Sequence, residues 1–159
     1  MTSEESAWTG IIVPLISEIM ENTAFTEVMP IEAAPLYGLE ARGASLLVHD
    51  PVQGEFQLIM ENGLLKYLSG IVYGSMPDEM TEQCEGDFLD ELLNTIAGRF
   101  LSAILPEDKS FTLGIPELFR EPFNVPDSPV LSWNFVIDGM HFTLYAAGES
   151  LVALEKNNG

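Results

Sequence analysis

Asp87, Glu91, Asn94 and Gly98 follow one another at intervals of four, three and four residues within "GDFLDELLNTIAGRFLSAIL", residues 86–105. On a helix advancing about 100° per residue they fall at roughly 0°, 40°, −20° and 20°, one narrow stripe. Leu89, Leu92, Leu93, Ile96, Phe100 and Ile104 occupy the opposite side, so that face reads as core and the stripe as outward. A carboxylate and a carboxamide are thereby presented one turn apart on a rigid support. The carboxamide can both accept from and donate to a water molecule, and it carries no charge to repel an anion. Gly98, lacking a side chain, lets another surface approach the helix backbone closely. Acidic residues early in a helix also suit its macrodipole, which accounts for Asp87 and Glu91 with no further role. Asn94 and Gly98 are not explained that way, since Lys, Gln or Ala would hold the helix better.

The surrounding sequence supplies the elements that must position this helix. In "IIVPLISEIMEN", Leu15, Ile16, Ile19 and Met20 have helical spacing, and Pro14 suits a first helical position, so a helix is expected from about Pro14. Weak strands are expected near 25–31 and 44–49, with His49 in the loop before Asp50-Pro51. "GEFQLIM" alternates Phe56, Leu58 and Met60 with Glu55 and Gln57, a half-buried strand. Leu64, Leu65, Leu68, Ile71 and Val72 mark a second helix that Gly74 would cap. "SMPDEMTEQCEG" reads as an acidic connector, with room for a helical turn, into the motif helix. Beyond it come a loop at 106–110, the strand "FTLGIPELF" broken at Pro116, and the Pro-rich loop "REPFNVPDSP". "VLSWNFVIDGMHFTLYAA" is a hairpin about Asp138-Gly139, pairing Ile137 with Met140, Phe135 with Phe142 and Trp133 with Leu144 on the core face. Its other face carries Val136 with His141, Asn134 with Thr143 and Ser132 with Tyr145, which makes His141 a surface residue.

The length of 159 residues suits one domain over 1–159, with 1–8 and 152–159 as flexible tails. Its 25 acidic and 6 basic residues give a formal charge of −19, which disfavours nucleic acid and anionic membrane as partners and favours a cationic patch on a protein. Cys84 stands alone, so no intrachain disulfide is possible, and it reads as an inert thiol in a reducing compartment. No basic leader precedes an apolar run, and none approaches the ~18 residues of a membrane span, so a cytoplasmic location is expected. The one-sided helices and the alternating hairpin predict an α+β fold, a largely antiparallel sheet with helices packed on one face.

The pattern Asp87-x3-Glu91-x2-Asn94-x3-Gly98 resembles the (D/S)-x3-E-x2-N-x3-G signature of the CheC/CheX/FliY family of chemotaxis phosphatases. "GEFQLIMENGLLKYLSGIVYG" is similar to the strand and helix before the motif in CheX-type members, "NTIAG" to their Asn and Ile-Ala-Gly turn, "FTLGIPELF" to the strand that follows, and "PLISEI" to their N-terminal helix. The resemblance covers about two thirds of the chain, most closely residues 54–119. A single copy of the motif is like CheX rather than the two-site CheC arrangement. Arg99 departs from the family, whose members often carry a polar residue such as asparagine there.

The resemblance implies hydrolysis of the aspartyl phosphate on a CheY-like response regulator receiver domain, in chemotaxis or related two-component signalling. Asn94 would place the attacking water, because phosphoryl transfer needs an in-line nucleophile and charge stabilisation more than covalent help. Glu91 would pair with the receiver's lysine and set the register, Asp87 would add a partner contact, and Gly98 would give clearance. The Mg²⁺ of this scheme belongs to the receiver, so no cofactor of the protein's own is implied, and no metal-ligand spacing occurs in the sequence. A homodimer is implied too, with an exposed edge of the hairpin open to sheet extension. Two other classes are compatible with the residues: a catalytically silent module that docks on a receiver or a flagellar switch, and an acidic chaperone-like dimer. There is no phosphate loop, nucleophile elbow or H-E-x-x-H, and Asp87 with Glu91 lacks the aromatic cleft of a glycosidase pair.

Overall fold

The structure, a computed structural model, describes residues 6–32, 40–74, 79, 81–120, 126 and 129–158, the side chains of 156–158 excepted. Its elements are α1 (Thr9–Ala24), β1 (Met29–Ile31), β2 (Ala41–Asp50), β3 (Gly54–Glu61), α2 (Asn62–Tyr73), α3 (Glu82–Ile104), β4 (Thr112–Leu113), β5 (Glu117–Phe119), β6 (Val130–Ile137), β7 (Met140–Ala147) and α4 (Glu149–Asn158). The seven strands form one sheet in the order β1-β6-β7-β3-β2-β4, with β5 also on β2, and every pairing is antiparallel. The fold is therefore α+β, as expected.

The hairpin has the register expected from its turn, with Ile137 opposite Met140, Phe135 opposite Phe142 and Trp133 opposite Leu144. Asp138 and Gly139 both have positive φ, as this two-residue turn requires. Those core-face residues join Leu46 and Val48 of β2, Phe56, Leu58 and Met60 of β3, and the apolar sides of the helices in one buried cluster. On the reverse face Asn134 and Thr143 are buried, and the Thr143 hydroxyl donates to Asn134 Oδ1 at 2.8 Å. His141 is part-exposed, its Nδ1 3.1 Å from Glu61 Oε2.

Several expectations are corrected. The hairpin lies inside the sheet, since β6 pairs with β1 over Asn134–Val136 and β7 with β3, and among the described residues the Val130–Trp133 part of its outer edge has no strand partner. His49 belongs to β2 rather than to a loop. The first helix begins at Thr9, not near Pro14, because Trp8 and Ile12 are fully buried and tie the preceding turn to the core. Trp8 packs edge-on against Phe100 with centroids 4.9 Å apart. Pro14 and Gly10 both lie on the exposed side, where the carbonyl left unbonded by the proline is open to water. Near the two ends of the described chain, Ala7 N–H donates to Glu155 Oε1 at 2.8 Å. Leu151 seats α4 over Gly54, where an added Cβ would come within 2.5 Å of its own.

Candidate functional site

The motif helix starts a turn earlier than its apolar pattern suggests. Thr81 caps α3 by accepting from the Cys84 N–H at 3.1 Å, and Glu82 and Glu85 fall in the first turn. The end of the acidic "connector" is thus helix. The signal in the sequence was a threonine followed by acidic residues, outweighed there by the missing apolar period. Glu85 is buried and meets Lys66 of α2 at 3.2 Å, fastening the two helices together.

Phe88, Leu89, Leu92, Leu93, Ile96, Ala97, Phe100 and Leu101 hold α3 down by burial on its inner side. Phe100 meets Phe56 of β3 edge-on at 5.9 Å. This leaves Asp87, Glu91 and Asn94 exposed on the outer side, with Gly98 half-buried in the same row. The four sequence-predicted residues are brought together as one stripe. None of the three side chains makes a hydrogen bond or ion pair to another described residue.

The two glycines of α3 differ in their surroundings. A Cβ at Gly86 would lie 2.6 Å from Leu118 Cδ1 and 2.9 Å from Arg42 Nη2, so the absence of a side chain there serves packing. A Cβ at Gly98 would meet nothing within 4 Å. Nothing inside the described protein requires that position to be glycine.

Arg99, the departure from the family pattern, is held sideways by Glu18 of α1 at 3.1 Å. Both groups are exposed, so the pair contributes little stability, but it gives Arg99 a partner away from the stripe. A shallow groove beside the stripe is lined by Asn94, Thr95, Gly98, Arg99, Ser102 and Phe111. A larger hollow lies elsewhere, between the end of β2 and the start of α4, and is lined by none of the four motif residues.

Two residues absent from the sequence-level site border it. Burial and then the Asp87 charge hold the Asp90 carboxyl above the usual range, against the pull of the Arg42 guanidinium. Its Oδ1 is buried without a hydrogen-bond partner. Tyr73, at the end of α2, has its hydroxyl pushed up by burial, then by the charges of Glu91, Asp87 and Cys84. Asp90 sits three residues from Asp87 and four from Asn94, a spacing that the sequence offered. Tyr73 is brought to the stripe only by the packing of α2 on α3.

Among the described residues no group of three His, Cys, Asp or Glu could hold a metal ion, and no helix is long and apolar enough to cross a membrane. No family model and no curated protein matches the chain. Solved structures do. CheX from Vibrio vulnificus superposes with a TM-score of 0.72 at 12% identity, over 89% of this chain and 96% of that one. A CheX-CheY-BeF3-Mg²⁺ complex from Borrelia burgdorferi gives 0.66 at 13%, over 90% and 98%. The FliM middle domain from H. pylori gives 0.63 at 10%, over 95% and 94%. The chain has the CheX-like fold of the CheC/CheX/FliY chemotaxis proteins.

Proposed function

We propose that the outer stripe of α3 docks on the phosphorylated aspartate of a CheY-like receiver domain in the cytoplasm and that the protein hydrolyses the phosphoryl group. The observation that carries this reading is a row of Glu91, Asn94 and Gly98 with no hydrogen-bond, ion-pair or packing partner for its outward positions among the described residues, on a chain folded like one solved in complex with CheY. Asn94 places the water: its amide oxygen accepts one water proton and its N–H₂ can donate toward the phosphoryl oxygens. The attack is in line with the aspartyl oxygen that leaves, and the chain supplies position rather than covalent help. Glu91, one turn away, pairs with a lysine of the receiver and sets the register; Asp87 extends that contact. Gly98 lets the receiver surface come down onto the helix. Magnesium is a ligand of the receiver in this scheme and supplies charge stabilisation there.

The test is the decay of a phosphorylated receiver in Mg²⁺ with and without the protein, across all receivers of the source organism. Acceleration of at least one supports the reading; no acceleration of any, with the protein folded, removes it. The likeness to FliM supports a second reading, a silent module that binds a receiver or switch component. Binding without acceleration in the same panel would select it. A homodimer remains our expectation, and the edges left for sheet extension among the described residues are β1, the Val130–Trp133 part of β6, and β4 with β5. Light scattering at tens of micromolar distinguishes it from a monomer.

A further inference from the structure

We infer that Tyr73 is the apolar anchor of the docking surface, its ring packing on the receiver beside the stripe while Glu91 and Asn94 enter the phosphorylation site. The inference rests on the function proposed above and adds a residue that the motif does not contain.

Val72 and Tyr73 are 39% and 44% exposed, and they are the only consecutive pair among the exposed large apolar residues described. They close α2, whose end is fixed by Gly74 in the left-handed conformation with its N–H returned to Gly70 and Ile71. The Lys66–Glu85 contact ties α2 to the first turn of α3. Tyr73 lies two turns further along α2, within electrostatic reach of Asp87 and Glu91, whose charges act on its hydroxyl.

The stripe itself offers no apolar side chain. Stable, specific interfaces bury about 800 Å² on each partner and draw most of their energy from a few residues, with Trp, Tyr and Arg enriched among them. Arg99 is already paired with Glu18 and Phe111, in the groove on the Asn94 side, is only half-exposed, so Tyr73 is the exposed large side chain beside the Asp87–Glu91 end of the motif. Net charge strengthens the argument. A protein at −19 is repelled at long range by any acidic surface around the receiver's lysine, so an uncharged contact that salt does not screen adds affinity that the Glu91 pair alone does not supply.

The experiment compares wild type, Tyr73→Ser, Tyr73→Phe and Asn94→Leu. Each is titrated with a BeF3-activated receiver and assayed for dephosphorylation over a range of receiver concentrations, with thermal unfolding alongside. Tyr73→Ser is expected to raise Kd and KM about tenfold or more, as truncation of an interface anchor does, with the rate at saturation kept. Tyr73→Phe is expected to stay close to wild type. Asn94→Leu is expected to show the reverse split, and the Tyr73→Ser loss is expected to persist at high salt. Wild-type KM in Tyr73→Ser would overturn the anchor and leave the phosphatase reading standing. Equal loss in Tyr73→Ser and Tyr73→Phe would assign the effect to the hydroxyl and overturn it too. A wild type that neither binds nor accelerates any receiver removes both.

Discussion

Gly98→Ala is expected to raise stability and lower activity at once. The residue lies inside a helix of 23 residues, and its added Cβ meets no atom within 4 Å. Nothing therefore offsets the gain in helix propensity, about 1 kcal/mol for Ala over Gly in a helix interior. In a chain of 159 residues that corresponds to a rise in Tm of about 2–4 °C. The methyl group projects from the same outer row as Glu91 and Asn94, so it holds an approaching receiver off by about 1 Å, a misplacement that costs on the order of 10²-fold in rate. Calorimetry and receiver dephosphorylation in Mg²⁺ measure the two effects on one preparation. Gly86→Ala is the internal comparison: it gains less stability, because Leu118 and Arg42 have to shift. A Gly98→Ala protein that is stabilised yet fully active would show that no partner surface comes near the helix there. One that is not stabilised would show that position 98 has a packing partner after all.

Asn94→Leu changes an exposed helix position, so stability is expected to stay within about 0.5 kcal/mol while receiver dephosphorylation falls by about 10²–10³; a folded, binding-competent variant with wild-type rate refutes the water-placing role. Glu91→Ala is expected to weaken receiver binding more than the single-turnover rate at saturation; a rate that saturating enzyme does not restore would give Glu91 a chemical role. Asp90 supplies the pH test. Its folded pKa lies above the unfolded one, so its contribution to stability is present in full below about pH 4 and is lost as pH rises through the folded value. Asp90→Asn is accordingly expected to be more stable than wild type at pH 7, because it removes the partly buried charge beside Asp87, and to match it below about pH 4. Equal stability at pH 7 in urea titrations, or a gap that persists into acid, contradicts this.

Legibility in the sequence followed the range of the interaction. The hairpin register was readable because Asp138-Gly139 fixes it locally and the alternation on either side agrees. The stripe was readable because α3 keeps helical spacing and its apolar residues leave one side over. The end of α2 was readable because Gly74 is a local signal for a left-handed cap. Where a long-range contact decided the matter, the sequence was silent. Trp8 starts α1 early by docking on Phe100, far along the chain, and overrides the usual placement of Pro14. The order of strands, which puts the hairpin inside the sheet, depends on pairings with β1 and β3 that no local pattern encodes. Tyr73 and Asp90 became neighbours of the site through packing across α2, α3 and Arg42, and a helical wheel of one segment carries no trace of that.

The division of α3 into an inner and an outer side has a consequence for inheritance. The apolar side chains that bury the helix all point inward, so the core sets no constraint on Asp87, Glu91 and Asn94, which look outward. The loss of the Asn94 carboxamide would leave the sheet, the apolar cluster and the shape of the stripe untouched. If the proposed function holds, a turning-over enzyme and an inert binder on this architecture are separated by one functional group that stability does not protect. Descendants could then switch between the two trades without passing through an unfolded intermediate.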